Sequence, residues 1–438
     1  MTGPSPETGA SGQPALVSAV PAGLVDAGAA ALATFGIGLV AARLLAPNAF
    51  AVYALFFALF TAVMVISTQL AFVPAEVRVI ERPVDERLAW LPATLRAGWA
   101  PALLGSLVTP VTLLVLPHDA DRSVVTPLLV TALAAGVVSP VQDHVRRMLH
   151  AGGRSWAAAG VSAVQLTVTA LGLLVLGLAP VSPGWVPFGA LVAANLASAG
   201  YGIVAARRST SPLPQPPDLR LSRLVSSGRW LLAVGLIPNG GAFVAGVLVA
   251  HLASAEALGH AEVARVVSRP IPVVAVALAS VLGPRLMQAV TLGDRPGARR
   301  LERMFLGTLV LAALGYGAWV AVDWVGNPMA AILPSAYIVA GLVPAVVVGV
   351  TLNQFAVDLR LELTAGREEK RLARIEGVSG IVRMAAASTA AVTAEFAIPL
   401  AYAAMGIVRA VGFRRAAGRH LWSRDPVTPA AAPGSLVP

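Results

Sequence analysis

The sequence predicts an all-α polytopic membrane protein of about twelve transmembrane helices in two pseudo-symmetric six-helix bundles. Three observations lead there: scarce charge, long apolar runs, and arginines that alternate from loop to loop. Only 12% of the 438 residues are charged, 57% are hydrophobic, and the mean hydropathy is +0.76. A water-soluble domain carries about a quarter of its residues as charges, so most of this surface faces something other than water. The apolar runs exceed the ~20 residues that one helical crossing needs. They are rich in Leu, Ala and Val and do not alternate in polarity, which excludes a membrane-spanning barrel.

Twelve apolar segments can be marked, at about 22–45, 50–74, 92–116, 123–145, 156–179, 184–206, 229–252, 259–284, 303–325, 334–357, 375–394 and 396–413. Residues 1–21 read as a disordered tail, 207–228 as a linker and 414–438 as a second tail. The N-terminal stretch Met1–Pro21 holds no Lys or Arg and so lacks the basic region of a secretory signal.

Of the 32 basic residues, 27 fall in one alternate set of loops and the tail, among them Arg82, Arg146, Arg208, Arg299, Arg371 and Arg409. The opposite set holds Arg43, Arg122, Arg265 and Arg269, and Arg383 lies inside a segment. By the positive-inside rule the arginine-rich loops and both termini are cytoplasmic. The net charge of +10 is thereby assigned to membrane topology, with no nucleic-acid partner expected. The lone lysine, Lys370, lies in Glu-Glu-Lys-Arg and cannot serve a phosphate-binding Gly-Lys-Ser/Thr loop. Without cysteine, disulfides and thiolate metal sites are excluded, and no cofactor is expected.

The Pro-rich stretch at Pro212, Pro214, Pro216 and Pro217 divides the chain into halves, 22–206 and 229–413. The segment from Ala42 to Ala51 lies over Ala250 to Gly259 without a gap, 208 residues on. Arg147 to Arg154 echoes Arg360 to Arg367. Six crossings per half make this a parallel repeat, and such repeats form two lobes around a substrate path.

Ala42-Arg43-Leu44-Leu45-Ala46-Pro47-Asn48-Ala49-Phe50-Ala51 resembles the first helical hairpin of polysaccharide flippases of the MATE/MOP superfamily. There an acidic pair follows the proline, and here Asn48-Ala49 replaces it. Ala257-Leu258-Gly259, Arg269-Pro270, Leu333 to Tyr337, and Asp143 to Arg154 are similar to other segments of that family. The resemblance implies a MATE/MOP-like fold and a lipid-linked, polyprenyl-diphosphate oligosaccharide or polysaccharide precursor moved from the cytoplasmic to the outer leaflet. It implies membrane lipids as partners, with a glycan polymerase or glycosyltransferases of the same pathway. The arginine- and alanine-rich composition points to a bacterial cytoplasmic membrane.

Ionisable groups within spans mark functional sites by default. Asp26, in the first span, reads as a coupling acid or as a carboxylate at a helix N-terminus. Arg43 reads as a head-group contact or as a side chain reaching water, and His251 is its repeat-mate. Arg265 and Arg269, four residues apart, are expected on one helix face before Pro270 and Pro272, and Glu262 could pair with Arg265. Arg383 is expected two turns into the eleventh span, facing a cavity. Asn239, Gln69, Gln142, Asn195, Asn353 and Gln354 could bond sugar hydroxyls or join helices. Two alternatives remain: a cation-coupled MATE-type drug antiporter using Asp26, and a membrane glycosyltransferase or ligase resting on His118, Asp119 and Asp121 as a metal site.

Overall fold

The computed structural model describes residues 13–117, 120–207, 219–322, 327, 333–366 and 368–422. All regular structure among them is helical. The first half comprises α1 (Gln13–Leu44), α2 (Pro47–Ile80), α3 (Val84–Val115), α4 (Arg122–Ala151), α5 (Ser155–Leu178) and α6 (Pro183–Arg207). The second comprises α7 (Leu221–Leu252), α8 (Ala255–Val267, resuming as Pro270–Thr291), α9 (Arg295–Ala321), α10 (Leu342–Ala365), α11 (Glu369–Ala387) and α12 (Ala397–His420). Ten of these are long and apolar enough to cross a membrane, α12 together with the short turn before it. The second part of α8 qualifies as a pair bent by 44°. α11 has the length, but six charged residues from Glu369 to Arg383 lower its hydropathy.

The repeat is visible in the helix ends. Leu44 and Leu252, which end α1 and α7, are 208 positions apart. Pro47 and Ala255, the first residues of α2 and α8, keep the same offset. The two halves therefore fold as matching bundles. In the first, α5 packs between α1 and α6, and α4 packs on α6. In the second, α12 packs against α10 and α11, and α11 against α7. The bundles meet where α2 lies along α7 and the first part of α8, and where α1 touches the second part of α8.

Two helices deviate locally for identifiable reasons. α2 widens to a π turn over Thr68–Phe72. Pro74 follows it and has no N–H for the carbonyl of Leu70, which removes one rung of the α-helical ladder. α8 breaks at Ser268 and Arg269, because Pro270 and Pro272 cannot continue the ladder.

Several expected boundaries move. α1 already covers Gln13 to Val20 of the expected N-terminal tail, and residues 1–12 lie outside the described residues. Of the linker, 208–218 lie outside them and α7 already begins at Leu221. α12 extends into the expected C-terminal tail as far as His420, and 423–438 lie outside the described residues. The tenth segment, expected at 334–357, becomes α10 at Leu342–Ala365. The eleventh shifts the other way: α11 covers Glu369–Ala387, and a short turn, Ala390–Thr393, follows. Hydropathy placed that helix too late because its first turns are charged.

Candidate functional site

The second bundle holds a cavity of about 220 Å³, with α2 of the first bundle closing it. Phe57, Ala58 and Thr61 come from α2, and Pro238, Asn239 and Ala242 from the middle of α7. Glu262 and Arg265 enter from α8, Asn353 from α10, Arg383 from α11, and Tyr402, Met405 and Arg409 from α12. Five of the residues singled out in the sequence, Asn239, Glu262, Arg265, Asn353 and Arg383, thus share one cavity.

Arg383 is 4% exposed and lies four turns into α11, deeper than the two turns expected. Its Nη1 donates to the Pro238 carbonyl at 3.0 Å, and its guanidinium carbon sits 4.7 Å from the centre of the Tyr402 ring. Its Nε is buried and has no hydrogen-bond partner. Arg265 Nε donates to Glu262 at 2.5 Å, the i,i+3 pair that the sequence allowed. Arg269 lies beyond the end of the helix that carries Arg265, just before the second part of α8. Arg269 stacks over Phe57, 5.5 Å from the ring centre, with its Nη1 buried and unpartnered. A buried donor left without an acceptor costs about 1–3 kcal/mol. Two such arginine donors beside one cavity therefore favour an anion there, since guanidinium forks match carboxylate and phosphate oxygens.

Arg409 belongs to this site although its sequence position grouped it with the cytoplasmic tail. It is 8% exposed, donates twice to Glu376 Oε2 at 2.8 and 2.5 Å, and donates to Asn353 Oδ1 at 2.8 Å. Asn353 is thus oriented by an arginine, while Asn239 donates to Gly235 within its own helix. Glu376, Gly380 and Arg383 fall at i, i+4 and i+7 on α11, one face of a helix, and that spacing was the available signal.

The other candidates lie elsewhere. Asp26 is 6% exposed and sits thirteen residues beyond the first residue of α1, so it is not at a helix N-terminus. It accepts from Ser162 Oγ at 2.5 Å and Arg146 Nη1 at 3.3 Å, and lies 3.0 Å from His150 Nε2. Arg146 also donates to Asp143, which pairs with Arg147, and His144 bridges Glu76 and Thr94 in the same bundle. Arg43 is exposed at the end of α1 and His251 lies 2.9 Å from the Val115 carbonyl; neither lines the cavity. Asn195 joins Gln165 and Ser139, holding α4, α5 and α6 together. For the proposed metal site, His118 and Asp119 lie outside the described residues, while Asp121 caps α4 by accepting from Ser123 N at 2.8 Å and Ser123 Oγ at 2.6 Å. Those two bonds hold the Asp121 carboxyl below its usual range. Among the described residues no group of three His, Asp or Glu side chains could hold a metal.

The bundles touch closely on both sides of the cavity. On the arginine-rich side a Cβ on Gly228 would lie 2.1 Å from the Gln69 carbonyl oxygen, within the π turn of α2. On the opposite side a Cβ on Gly259 would lie 2.2 Å from the Pro47 carbonyl oxygen, and Tyr337 Oη donates to the Leu45 carbonyl at 2.7 Å.

No family model and no curated protein matches this sequence. Solved structures do match it. The MATE multidrug transporter DinF-BH aligns over 97% of this chain and all of its own, with a TM-score of 0.65 at 13% identity. A MOP-superfamily transporter from Pyrococcus furiosus aligns over 92% of this chain and 93% of its own, with a TM-score of 0.58 at 14% identity. The chain has the MATE/MOP fold. The lipid II flippase MurJ, in an inward closed conformation, aligns over 91% of this chain and 87% of its own, with a TM-score of 0.60 at 10% identity.

Proposed function

We propose that this protein is a membrane transporter that flips a lipid-linked, polyprenyl-diphosphate oligosaccharide or polysaccharide precursor from the cytoplasmic to the outer leaflet by alternating access. The observation that carries this reading is the cationic cavity. Arg265, Arg383 and Arg409 line it with one carboxylate, Glu262, while Arg269 stacks on the lining Phe57 and Glu376 pairs with Arg409. A diphosphate would bring the missing acceptors to Arg269 and Arg383. At about 220 Å³ the cavity is smaller than the ~300–1,000 Å³ of a typical ligand pocket. Substrate must therefore enter while the bundles are parted on one side, which matches the close glycine contacts on both sides.

The arginine-rich side faces the cytoplasm in this reading, with both termini there, in a bacterial cytoplasmic membrane. Glycosyltransferases or a polymerase of the same pathway would act on either side.

A second reading is a cation-coupled small-molecule antiporter, favoured by the contact between buried Asp26 and half-buried His150 and by the likeness to DinF-BH. Its coupling acid would be Asp26, which here is already satisfied by Arg146 and Ser162.

The chain has no cysteine, so a single Cys replacing Ala242 reports on the cavity directly. Labelling of Ala242→Cys by a maleimide should be slowed by added polyprenyl diphosphate and not by cationic dyes. Protection by cationic dyes alone would overturn the flippase reading in favour of the antiporter.

A further inference from the structure

A second groove lies on the outside of the second bundle, between α11 and α12. Ile375 and Val378 line it from α11, and Ile407, Val408, Val411 and Gly412 from α12. It measures about 450 Å³ and no carboxylate lines it. Val378, Ile407 and Val411 are 54%, 51% and 43% exposed, so in a membrane this face meets lipid. Gly412 makes the floor: a Cβ there would come 2.8 Å from Ile375 Cγ2, and its absence lets the two helices approach.

One end of the groove is cationic. Arg374, one residue before Ile375, and Arg415, one turn beyond Val411, line it together with the apolar side chains. Because α11 and α12 are antiparallel, both arginines lie on the arginine-rich side of the protein. Both are exposed, and neither makes a hydrogen bond or ion pair with any described residue. From Arg415 to Ile407 the groove runs eight residues along α12, about 12 Å. That depth is close to half of the ~30 Å hydrocarbon thickness of a bilayer, the part filled by one leaflet.

We propose that this groove binds an anionic glycerophospholipid of the leaflet on the arginine-rich side, with its phosphate between Arg374 and Arg415 and an acyl chain along α12. Two unpaired guanidiniums at head-group depth attract negative lipid, and basic pockets between helices on this side commonly bind acidic head groups. The apolar floor fixes the chain and excludes a soluble phosphate as the natural occupant. This site is separate from the central cavity, since Arg383 and Arg409 are buried on the inner faces of the same two helices. It does not depend on what the cavity transports.

The test is lipid retention measured by native mass spectrometry on delipidated full-length protein, titrated in turn with phosphatidylglycerol, phosphatidylcholine and polyprenyl phosphate. Phosphatidylglycerol should bind about tenfold more tightly than phosphatidylcholine, and Arg374→Gln/Arg415→Gln should weaken it about tenfold, abolishing the preference, while leaving phosphatidylcholine unchanged. Val411→Trp, which fills the groove from an exposed position, should remove both lipids. Equal binding of the two phospholipids, or an undiminished preference in the double variant, would overturn the proposal. So would phosphatidylglycerol binding that survives Val411→Trp. Polyprenyl phosphate binding more tightly than phosphatidylglycerol, with the same arginine dependence, would reassign the groove to the substrate lipid.

Discussion

Gly259 meets Pro47 backbone to backbone across the boundary between the two bundles, so closely that a Cβ on Gly259 would sit 2.2 Å from the Pro47 carbonyl oxygen. Gly228 repeats the arrangement against Gln69 on the other side of the cavity. Close approach on each side thus depends on a missing side chain. Gly259→Ala should favour opening on the arginine-poor side, and Gly228→Ala opening on the arginine-rich side. Overpacking costs about 1–3 kcal/mol, a population shift of roughly 5- to 150-fold. Double electron–electron resonance between spin labels on the two bundles should show opposite shifts for the two variants.

Arg409 and Glu376 form a buried pair inside the second bundle, with Arg409 8% and Glu376 1% exposed. Removing one member leaves the other charge uncompensated and should cost about 3–5 kcal/mol. Arg409→Met with Glu376→Met together should be milder than either change alone. Thermal unfolding of the four proteins in detergent gives the double-mutant cycle, and additive effects would mean that the pair is not coupled.

Asp26→Asn separates the two readings of the first span. With Asp26 tying α1 to Arg146 and Ser162, the variant should lower the melting temperature, and transport should fall only with the folded fraction. Unchanged stability with ion-driven transport abolished would instead make Asp26 the coupling acid.

Arg383 supplies a buried donor to the cavity, held by Pro238 and Tyr402. Arg383→Ala should weaken binding of a polyprenyl diphosphate by roughly 10- to 150-fold, as expected for one charge-assisted hydrogen bond. Arg383→Lys should recover only part of it, because an ammonium lacks the planar fork. Isothermal titration with the three proteins reads this out.

The architecture was legible because its signals repeat. The 208-residue offset in sequence reappears in the ends of α1 and α7 and in the starts of α2 and α8. The site was legible only in part. Arg383 stood out as a lone charge in an apolar run, and it lines the cavity. Arg409 did not, because Arg414 and Arg415 follow it and a charge near a basic loop reads as part of that loop. Only packing shows that its side chain turns inward to Glu376, seven residues and two turns before Arg383 on α11. Arg265 and Arg269 share a sequence spacing but not a helix, since two prolines break α8 between them and the next turn. The pairing of Asp26 with Arg146 spans 120 residues, and no local pattern announces it.

The most direct test of the central claim is translocation itself. Purified protein is reconstituted in proteoliposomes with a fluorescent polyprenyl-diphosphate oligosaccharide, and a membrane-impermeant quencher follows the label in the outer leaflet. Wild type should move the lipid faster than protein-free liposomes, with Arg383→Ala slowed at least tenfold while remaining folded. Movement no faster than in protein-free liposomes, under every imposed ion gradient, would contradict the account.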